Sequence, residues 1–243
     1  MRVLFVVPAF NEERALPAVI GELRSEATTL AIDADVLIVD DGSGDRTSEV
    51  ATASGARVLR LCRNLGIGGA VQVGLRLALR EGFDCAIQVD GDGQHPATEL
   101  RKLLAPLSGP QPPDLIVGTR YRGRDGFRST ALRRFGSWWL RMLLVVVARL
   151  HVSDPTSGFR VYNRRALALF DTTYPYDYPE PESLAVAAAA RLRIIEVAVT
   201  MRDRQHGRSS IGGFYAPYYM LKTSLALILS YVRNRVPKPS HVV

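Results

Sequence analysis

The sequence predicts an α/β fold in which a mostly parallel central sheet is flanked by helices. Three observations lead to this prediction. Short apolar runs rich in β-branched residues recur along the chain, segments with helical apolar spacing separate them, and polar loops rich in Asp and Gly follow several of the runs. Strands that alternate with helices in this way pair in parallel through βαβ crossovers.

The apolar runs define the predicted strands. The first covers residues 3–7, and its continuous Val, Leu and Phe content is typical of a strand buried on both faces. The remaining predicted strands are residues 36–39, 56–61, 85–89, 114–117 and 194–201.

Helices are predicted between these strands. The first opens in the Pro8–Glu13 segment and runs to about Ala27, with Leu16 and Leu23 among its regularly spaced apolar residues. Others follow the turns at residues 40–47 and 63–70 and include residues 100–104.

Length and composition set the broad class. The chain has 243 residues, of which 47% are hydrophobic and 23% charged, as expected of a globular protein. Its net charge of +7 indicates an anionic partner: nucleic acid, a membrane surface or a phosphorylated substrate. Two cysteines do not make a disulfide framework. No signal peptide is predicted. No uninterrupted apolar run reaches the roughly 18 residues that a membrane-spanning helix needs, so no such helix is predicted.

Two carboxylates at the end of the predicted strand 85–89 form a candidate metal site. Asp90 and Asp92 are one residue apart in an extended segment, so their side chains can point the same way. With the amide oxygen of Gln94 as a third ligand, these hard oxygens suit Mg²⁺ or Mn²⁺. The alternative is an ordinary Asp–Gly turn at a strand end.

Four polar loops, at Pro8, Asp40, Asp90 and Gly118, follow predicted strands. In parallel sheets the carboxyl ends of strands share one edge, and ligands bind there. The glycines of residues 66–69 fit neither a dinucleotide fingerprint nor a phosphate loop, so we interpret them as a close-packing turn at a helix start. A dehydrogenase or NTPase is therefore disfavoured.

Five motifs in order resemble the family 2 glycosyltransferases, which have the GT-A fold, and most closely the dolichyl- and polyprenyl-phosphate sugar synthases. The motifs are VVPAFNE (residues 6–12), VDDGSGDRT (39–47), NLGIGGA (64–70), DGDGQHP (90–96) and VGTRY (117–121).

The resemblance implies a nucleotide-sugar donor bound with a metal ion. The metal ligands would be Asp90, Asp92 and Gln94. The residues implied at the nucleotide are Pro8, Phe10, Glu12, Asp40, Asp41, Asp90 and Gly91. The bland alternatives are a helix cap at residues 40–43 and a core aromatic at Phe10, which stands where the family usually has Tyr.

The segment 120–149 combines many arginines with Trp138, Trp139 and a leucine- and valine-rich stretch. A helix at about 130–150 with this pattern is typical of one lying in a membrane interface, although packing on the sheet with solvated arginines is the alternative. By resemblance, Arg120, Arg133 and Ser137 would bind an acceptor phosphate.

Two further regions carry roles implied by the resemblance. Glu182 stands near the carboxylate that serves as a base in inverting relatives, and a helix-capping acid explains it nearly as well. The basic loop after the last strand would fold over the donor phosphates. Its candidate residues are Arg202, Arg204, His206 and Arg208.

Residues 1–212 are predicted to form the catalytic domain. Residues 213–235 are predicted to be an amphipathic helix that docks on the membrane, on a small integral membrane protein or on a second copy of the chain. Residues 236–243 are predicted to be a disordered tail.

The prediction is an inverting, metal-dependent transfer of a sugar to a polyprenyl phosphate at the cytoplasmic membrane face, with Asp92, Arg120 and Glu182 as catalytic residues. GDP-mannose, UDP-glucose and UDP-N-acetylhexosamine remain open as donors. The alternatives are transfer to a sugar or protein hydroxyl and an inactive peripheral membrane module. A nucleic-acid binder is disfavoured because the arginines lie beside Trp and Leu.

Overall fold

The computed structural model describes residues 1–120, 131–202 and 216–235. In chain order its elements are β1 (Arg2–Ala9), α1 (Leu16–Thr29), β2 (Asp33–Asp40), α2 (Thr47–Ala53), β3 (Arg57–Arg60), α3 (Gly66–Arg80), β4 (Cys85–Gln88), a 3-10 turn (Ala97–Glu99), α4 (Leu100–Leu104), a second 3-10 turn (Ala105–Ser108), β5 (Leu115–Thr119), α5 (Ala131–Ala148), β6 (Arg160–Asn163), α6 (Arg164–Thr173), α7 (Pro179–Ala189), β7 (Ile194–Ala198) and α8 (Ala216–Arg235).

The strands form one seven-stranded sheet in the order β3-β2-β1-β4-β6-β5-β7. All pairings among the described strands are parallel except those of β6, which runs antiparallel to both β4 and β5. The predicted mostly parallel sheet with flanking helices is therefore confirmed. The strand β6 and the helix α6, which directly follow the loop at residues 153–159, were not predicted from the sequence.

The hydrophobic core lies on both faces of the sheet. In β1, Leu4 and Val6 face the helices α3, α6 and α7, whereas Phe5 and Val7 face α1 and α4. Successive side chains of a strand point to opposite faces, and all of these side chains are fully buried. The apolar runs are continuous because both faces of the sheet are covered.

One edge of the sheet collects the polar loops. The carboxyl ends of β1, β2, β4 and β5 meet there, as the parallel pairing requires. Because β6 is antiparallel, it begins at this edge instead of ending there, with Arg160 paired to Gln88 of β4 and Val117 of β5. The loop at residues 153–159 is thereby delivered to the same edge.

Helices α5 and α8 pack together against α7 on one side of the molecule. Trp139 Nε1 donates a hydrogen bond to Ser224 Oγ at 2.8 Å, which joins the two helices. Within the described ranges, no helix is long and apolar enough to cross a membrane. The predicted boundary at residue 212 and the predicted tail 236–243 lie outside the described residues.

Candidate active site

The loops after β1 and β2 are tied together at the carboxyl edge of the sheet. The Asn11 backbone N–H donates to Ser43 Oγ at 2.9 Å, and the Asn11 side chain accepts from Gly44 N at 2.9 Å. Asn11 has a φ of 57°, a left-handed conformation that Asn tolerates better than most residues. The Glu12 N–H donates to Thr47 Oγ1 at 2.9 Å. These contacts join the two loops that carry several of the residues predicted to border the nucleotide.

Phe10 lies in the first of these loops, immediately after Pro8 and Ala9 end β1. Its side chain is 47% exposed, so the interpretation of Phe10 as a core aromatic is wrong. An exposed ring at the ligand edge of a sheet is available to pack against a planar base.

Asp40 is a buried carboxylate held in its ionised form. It accepts hydrogen bonds from Ser43 N at 2.9 Å and from the Ser48 hydroxyl, and Arg60 Nε lies 3.8 Å away. Burial alone would raise the pKa of Asp40, but the hydrogen bonds from Ser43 and Ser48 and the charge of Arg60 outweigh it. The pKa therefore lies below its ordinary value.

Asp41 anchors the start of α3. Its two oxygens accept the backbone N–H groups of Leu65 at 2.7 Å and Gly66 at 2.8 Å. Burial raises the pKa of Asp41 even though these amides lower it. Because a carboxylate already satisfies the helix N-terminus, a phosphate would have to displace it. The Gly-rich segment is a close-packing turn as predicted: a Cβ on Gly68 would lie 2.7 Å from the Pro175 carbonyl oxygen.

Asp90 and Asp92 follow β4 at the same edge and are fixed by their neighbours. His95 Nδ1 accepts the Asp90 backbone N–H at 3.1 Å, which places the proton of a neutral ring on Nε2, 3.6 Å from Asp90 Oδ2. Asp92 Oδ1 accepts Gln94 N at 3.0 Å, and the Gln94 amide nitrogen donates to Asp92 Oδ2. The Gln94 amide thus orients Asp92 here, and its role as a third metal ligand stays a prediction.

The loop before β6 makes close contact with Asp90. A Cβ on Gly158 would lie 2.7 Å from Asp90 Oδ1, so only glycine leaves this carboxylate in place. The next residue, Phe159, stacks on His95 with ring centroids 4.7 Å apart and planes 9° from parallel. Asp90 is therefore gripped between its own loop and the 153–159 loop.

Arg160 is a fully buried cation beneath this contact. Its guanidinium donates to the carbonyl oxygens of Ser157 at 2.8 Å and Glu180 at 2.8 Å and to Ser183 Oγ at 2.6 Å. It joins the 153–159 loop to the first turn of α7. Burial raises the pKa of the Glu180 carboxyl, Arg160 opposes this, and the nearby charge of Asp90 raises it further.

Glu182 lies one turn into α7 and bridges two helices. Its Oε1 accepts the Tyr178 N–H at 3.1 Å, and its Oε2 accepts the Ser230 hydroxyl of α8 at 2.8 Å. Burial raises the pKa of Glu182, although both hydrogen bonds lower it. These are the contacts of a helix cap and an interhelix tether, and the catalytic role of Glu182 stays a prediction.

Arg120 follows β5 and forms a bidentate ion pair with Asp154. Its Nε and Nη2 contact the two carboxylate oxygens of Asp154 at 2.8 and 3.0 Å. Ser137 on α5 is buried, and its Oγ has no hydrogen-bond partner among the described residues. The side chain of Arg133 lies outside the described part of the structure, so the predicted acceptor-phosphate set is placed only in part.

Arg202 marks the start of the predicted donor-phosphate loop. Its N–H donates to the Gln94 carbonyl at 2.9 Å, and its guanidinium pairs with Glu22 of α1 at 2.6 Å. A cavity beside Asp92 is lined by Arg202, Arg14 and His95. The remaining loop candidates Arg204, His206 and Arg208 lie outside the described residues.

A model of the family described as glycosyl transferase family 2 matches residues 4–170 of the chain. The chain belongs to this family. The resemblance seen in the five sequence motifs is therefore confirmed, and the protein is an enzyme of the glycosyltransferase class.

Two relatives of this glycosyltransferase have names that refer to polyprenyl-phosphate mannose transfer or synthesis. It is 30% identical over 222 residues to the undecaprenyl-phosphate mannosyltransferase of Micrococcus luteus, covering 88% of each chain. It is also 30% identical over 226 residues to the polyprenol monophosphomannose synthase of Mycolicibacterium smegmatis, covering 87% of this chain and 82% of the relative.

A solved structure supports the fold. The glucosyl-3-phosphoglycerate synthase of Mycobacterium tuberculosis, crystallised with Mn²⁺, UDP and phosphoglyceric acid, superposes with a TM-score of 0.70 at 22% identity. The match covers 99% of this glycosyltransferase and 81% of that chain. The GT-A fold predicted from the sequence is confirmed.

The oxygen ligands that this glycosyltransferase offers at the candidate metal site fit a hard divalent cation. Within the described ranges no group of three or more His, Cys, Asp or Glu side chains is placed to hold a metal by itself. Two carboxylates at the ligand edge, with Gly158 leaving room at Asp90 Oδ1, suit an ion that takes its other ligands from substrate phosphates and water.

Four residues of the site were given no role from the sequence: His95, Asp154, Arg160 and Glu180. His95 stands inside the motif at residues 90–96, which was the available signal for it. Arg160 could not be placed because its partners, which include two carbonyl oxygens and the Ser183 hydroxyl, come from residues up to 23 positions away.

Proposed function

We propose that this glycosyltransferase transfers a sugar from a nucleotide-sugar donor to a polyprenyl phosphate, with inversion and with a divalent cation. One observation carries the proposal. Asp90 and Asp92, the paired carboxylates for a metal–diphosphate, follow a strand that ends at the same edge of the sheet as the strand before Arg120. Arg120 would bind an anionic acceptor there. The names of the two relatives support this acceptor class.

The donor side would use the residues at the ends of β1, β2 and β4. The exposed ring of Phe10 would pack on the base, with Pro8, Glu12, Asp40, Asp41 and Gly91 around the base and ribose. Asp90 and Asp92 would hold Mg²⁺ or Mn²⁺, which when bound neutralises charge on the leaving nucleoside diphosphate. The crystal of the structural neighbour with Mn²⁺ and UDP supports this arrangement.

The acceptor side would use Arg120, Ser137 and Arg133. An arginine suits a phosphate because its planar fork donates parallel hydrogen bonds. A polyprenyl phosphate has a second pKa of about 6, so its attacking oxygen is already anionic near neutral pH and needs no protein base. This agrees with a Glu182 whose oxygens serve Tyr178 and Ser230.

A hydroxyl acceptor is the second candidate, and Glu180 is the observation that favours it. A hydroxyl must lose a proton to a base. Glu180 is half-buried, and it lies close enough to Asp90 for that charge to raise its pKa. Such a carboxylate is a suitable base for a hydroxyl acceptor. The transfer assay below distinguishes this acceptor from a polyprenyl phosphate.

The acceptor's lipid implies peripheral attachment to the cytoplasmic face of a membrane, through α5 and α8. Large apolar side chains are exposed along both helices: Phe135, Trp138, Trp139, Met142, Val146, Leu221, Leu225, Ile228, Leu229 and Val232. Exposed Lys222, Arg233 and Arg235 add positive charge for anionic lipid. An integral membrane protein or a second copy of the chain is the alternative partner for this surface.

The test is a transfer assay with a panel of donors. Purified protein is incubated with GDP-mannose, UDP-glucose or UDP-N-acetylglucosamine and a short polyprenyl phosphate, and the lipid is analysed by mass. We expect one donor to give a glycosylated lipid phosphate with Mg²⁺ or Mn²⁺ and none to do so with a chelator. Products found only on sugar or peptide hydroxyls, and lost in Glu180→Gln, would establish the second candidate.

A further inference from the structure

Arg120 does not stand alone at the sheet edge. Its Nε lies 2.8 Å from Asp154 Oδ2, its Nη2 lies 3.0 Å from Asp154 Oδ1, and its backbone N–H also points to Oδ2 at 3.3 Å. Two parallel contacts to one carboxylate fix both the direction and the rotation of the guanidinium plane. Thr156 Oγ1 adds a further contact to Nη2 at 3.3 Å.

Asp154 is in turn fixed from β7. Glu196 Oε1 accepts the backbone N–H groups of Ser153 at 2.7 Å and Asp154 at 3.0 Å, together with the Ser153 hydroxyl at 2.8 Å. The Ser153 hydroxyl also meets Thr119 Oγ1 at 2.9 Å, one residue before Arg120. The chain of contacts therefore runs from Glu196 through residues 153–154 to Arg120.

The burial of these groups gives the network its rigidity. The Asp154 side chain is fully buried, and that of Arg120 is only 17% exposed. A buried carboxylate without a cation is costly, so Asp154 strongly favours the conformation in which Arg120 stays paired. The long, flexible arginine thereby loses its freedom before any ligand arrives, which reduces the entropy cost of binding an anion.

We propose that Asp154 and Glu196 are positioning residues for Arg120, and that they set the affinity for the anionic acceptor. The inference rests on the proposed function, because it assigns Arg120 to the acceptor phosphate. Asp154 sets the guanidinium orientation, and Glu196 sets the position of Asp154. Neither residue is required to touch the donor.

Asp154→Asn tests the inference, because it keeps the side-chain shape and removes the charge that holds the fork. We expect KM for polyprenyl phosphate to rise roughly tenfold or more, while KM for the nucleotide sugar changes by less than about twofold. In an Arg120→Lys background the paired contacts of the guanidinium with Asp154 are already lost. There, Asp154→Asn is expected to raise the acceptor KM little further.

The matched control is Asp114→Asn. Asp114 is also buried and also pairs with an arginine, Arg165, at 3.0 Å, but it stands before β5 at the opposite end of that strand. We expect it to leave both KM values unchanged. A purely structural effect of losing a buried ion pair would appear in both variants.

Three results would overturn the inference: an unchanged acceptor KM in folded Asp154→Asn, an equal rise in both KM values, or an undiminished effect in the Arg120→Lys background. If Asp154→Asn shows no cooperative melting, Glu196→Gln decides, since it must raise the acceptor KM alone. A wild-type protein that glycosylates no polyprenyl phosphate with any donor would refute the proposed function, and this inference with it.

Discussion

At the scale of single residues, Asp92 and Glu182 distinguish the two acceptor classes. Asp92→Ala removes a proposed metal ligand, so transfer is expected to fall on the order of a thousandfold. Glu182→Gln is expected to lower the rate only modestly, because a phosphate acceptor needs no base. Initial rates with saturating donor measure both, and Asp33→Ala, an exposed aspartate at the start of β2, is the control. Equal and total loss in both variants would indicate a hydroxyl acceptor with Glu182 as its base, whereas loss in Asp92→Ala and Glu180→Gln but not in Glu182→Gln would assign that role to Glu180.

Gly158 gives a second prediction at this scale. In Gly158→Ala the new methyl group would lie 2.7 Å from Asp90 Oδ1, so the carboxylate must move. We expect transfer to fall by about a hundredfold with little change in melting temperature, because the displaced group is the proposed metal ligand Asp90 and not part of the core.

The control for Gly158 is Gly21→Ala. Nothing lies within 4 Å of a Cβ on Gly21, which is in the interior of α1. This variant should be fully active and more stable by about 0.5–1 kcal/mol. Normal activity in Gly158→Ala would show that Asp90 has room to move without loss of function.

At the scale of elements, Glu182 couples α7 to α8 in a pH-dependent way. Its pKa is raised in the folded protein, so the neutral acid is favoured by folding, and that contribution is lost as pH rises past the folded pKa. Gln cannot ionise. The melting temperature of Glu182→Gln relative to wild type is therefore expected to increase between about pH 4 and pH 7.

Ser230→Ala is the companion variant for this measurement. It removes the hydroxyl that donates to Glu182 Oε2 and leaves the carboxylate in place. Since that hydrogen bond lowers the pKa of Glu182, losing it should steepen the loss of stability with rising pH. A melting-temperature difference between Glu182→Gln and wild type that does not vary with pH would contradict a perturbed carboxyl at this position.

The elements also show what the sequence could and could not predict. The runs at residues 3–7, 36–39 and 85–89 revealed their strands because burial on both faces leaves an unbroken apolar pattern. Strand β6, with the sequence Arg-Val-Tyr-Asn, has no such pattern. Its first residue is a charged side chain whose burial depends on carbonyl groups of distant segments, and local sequence carries no sign of them.

The candidate site divides in the same way. Asp40, Asp90, Asp92 and Arg120 stand at strand ends or within four residues of them, so parallel pairing alone predicts that they share an edge. Whether Phe10 is buried or exposed could not be decided from the sequence, because an aromatic residue after a strand fits a core or a ligand surface equally well. Asp154 reaches the edge only because β6 reverses direction, which the sequence analysis did not foresee.

At the scale of the whole molecule, the exposed apolar surface of helices α5 and α8 predicts that the protein binds lipid. Leu221, Leu225 and Leu229 follow one another at helical spacing and are 71%, 56% and 58% exposed. Replacing Leu221 or Leu225 by Ser is expected to weaken binding to anionic vesicles roughly tenfold each, from the lost burial of one leucine side chain.

Vesicle sedimentation measures this, with Ile67→Ser as the control because Ile67 is a similarly exposed aliphatic residue on α3, 43% accessible. Neutral vesicles should bind less protein than anionic ones because of the cations on α8. If neither leucine variant changes sedimentation while a soluble dimer dissociates, the surface is an interface between two copies of the chain.

The reversed strand β6 also determines how far the chain can be shortened. Among the described strands, β6 lies between β4 and β5 and pairs with both of them. A fragment ending before Arg160 would leave β3-β2-β1-β4 with an unpaired inner edge and β5 with no partner at all. Such edges recruit strands from other chains, so truncation there should give aggregates and not a smaller nucleotide-binding unit.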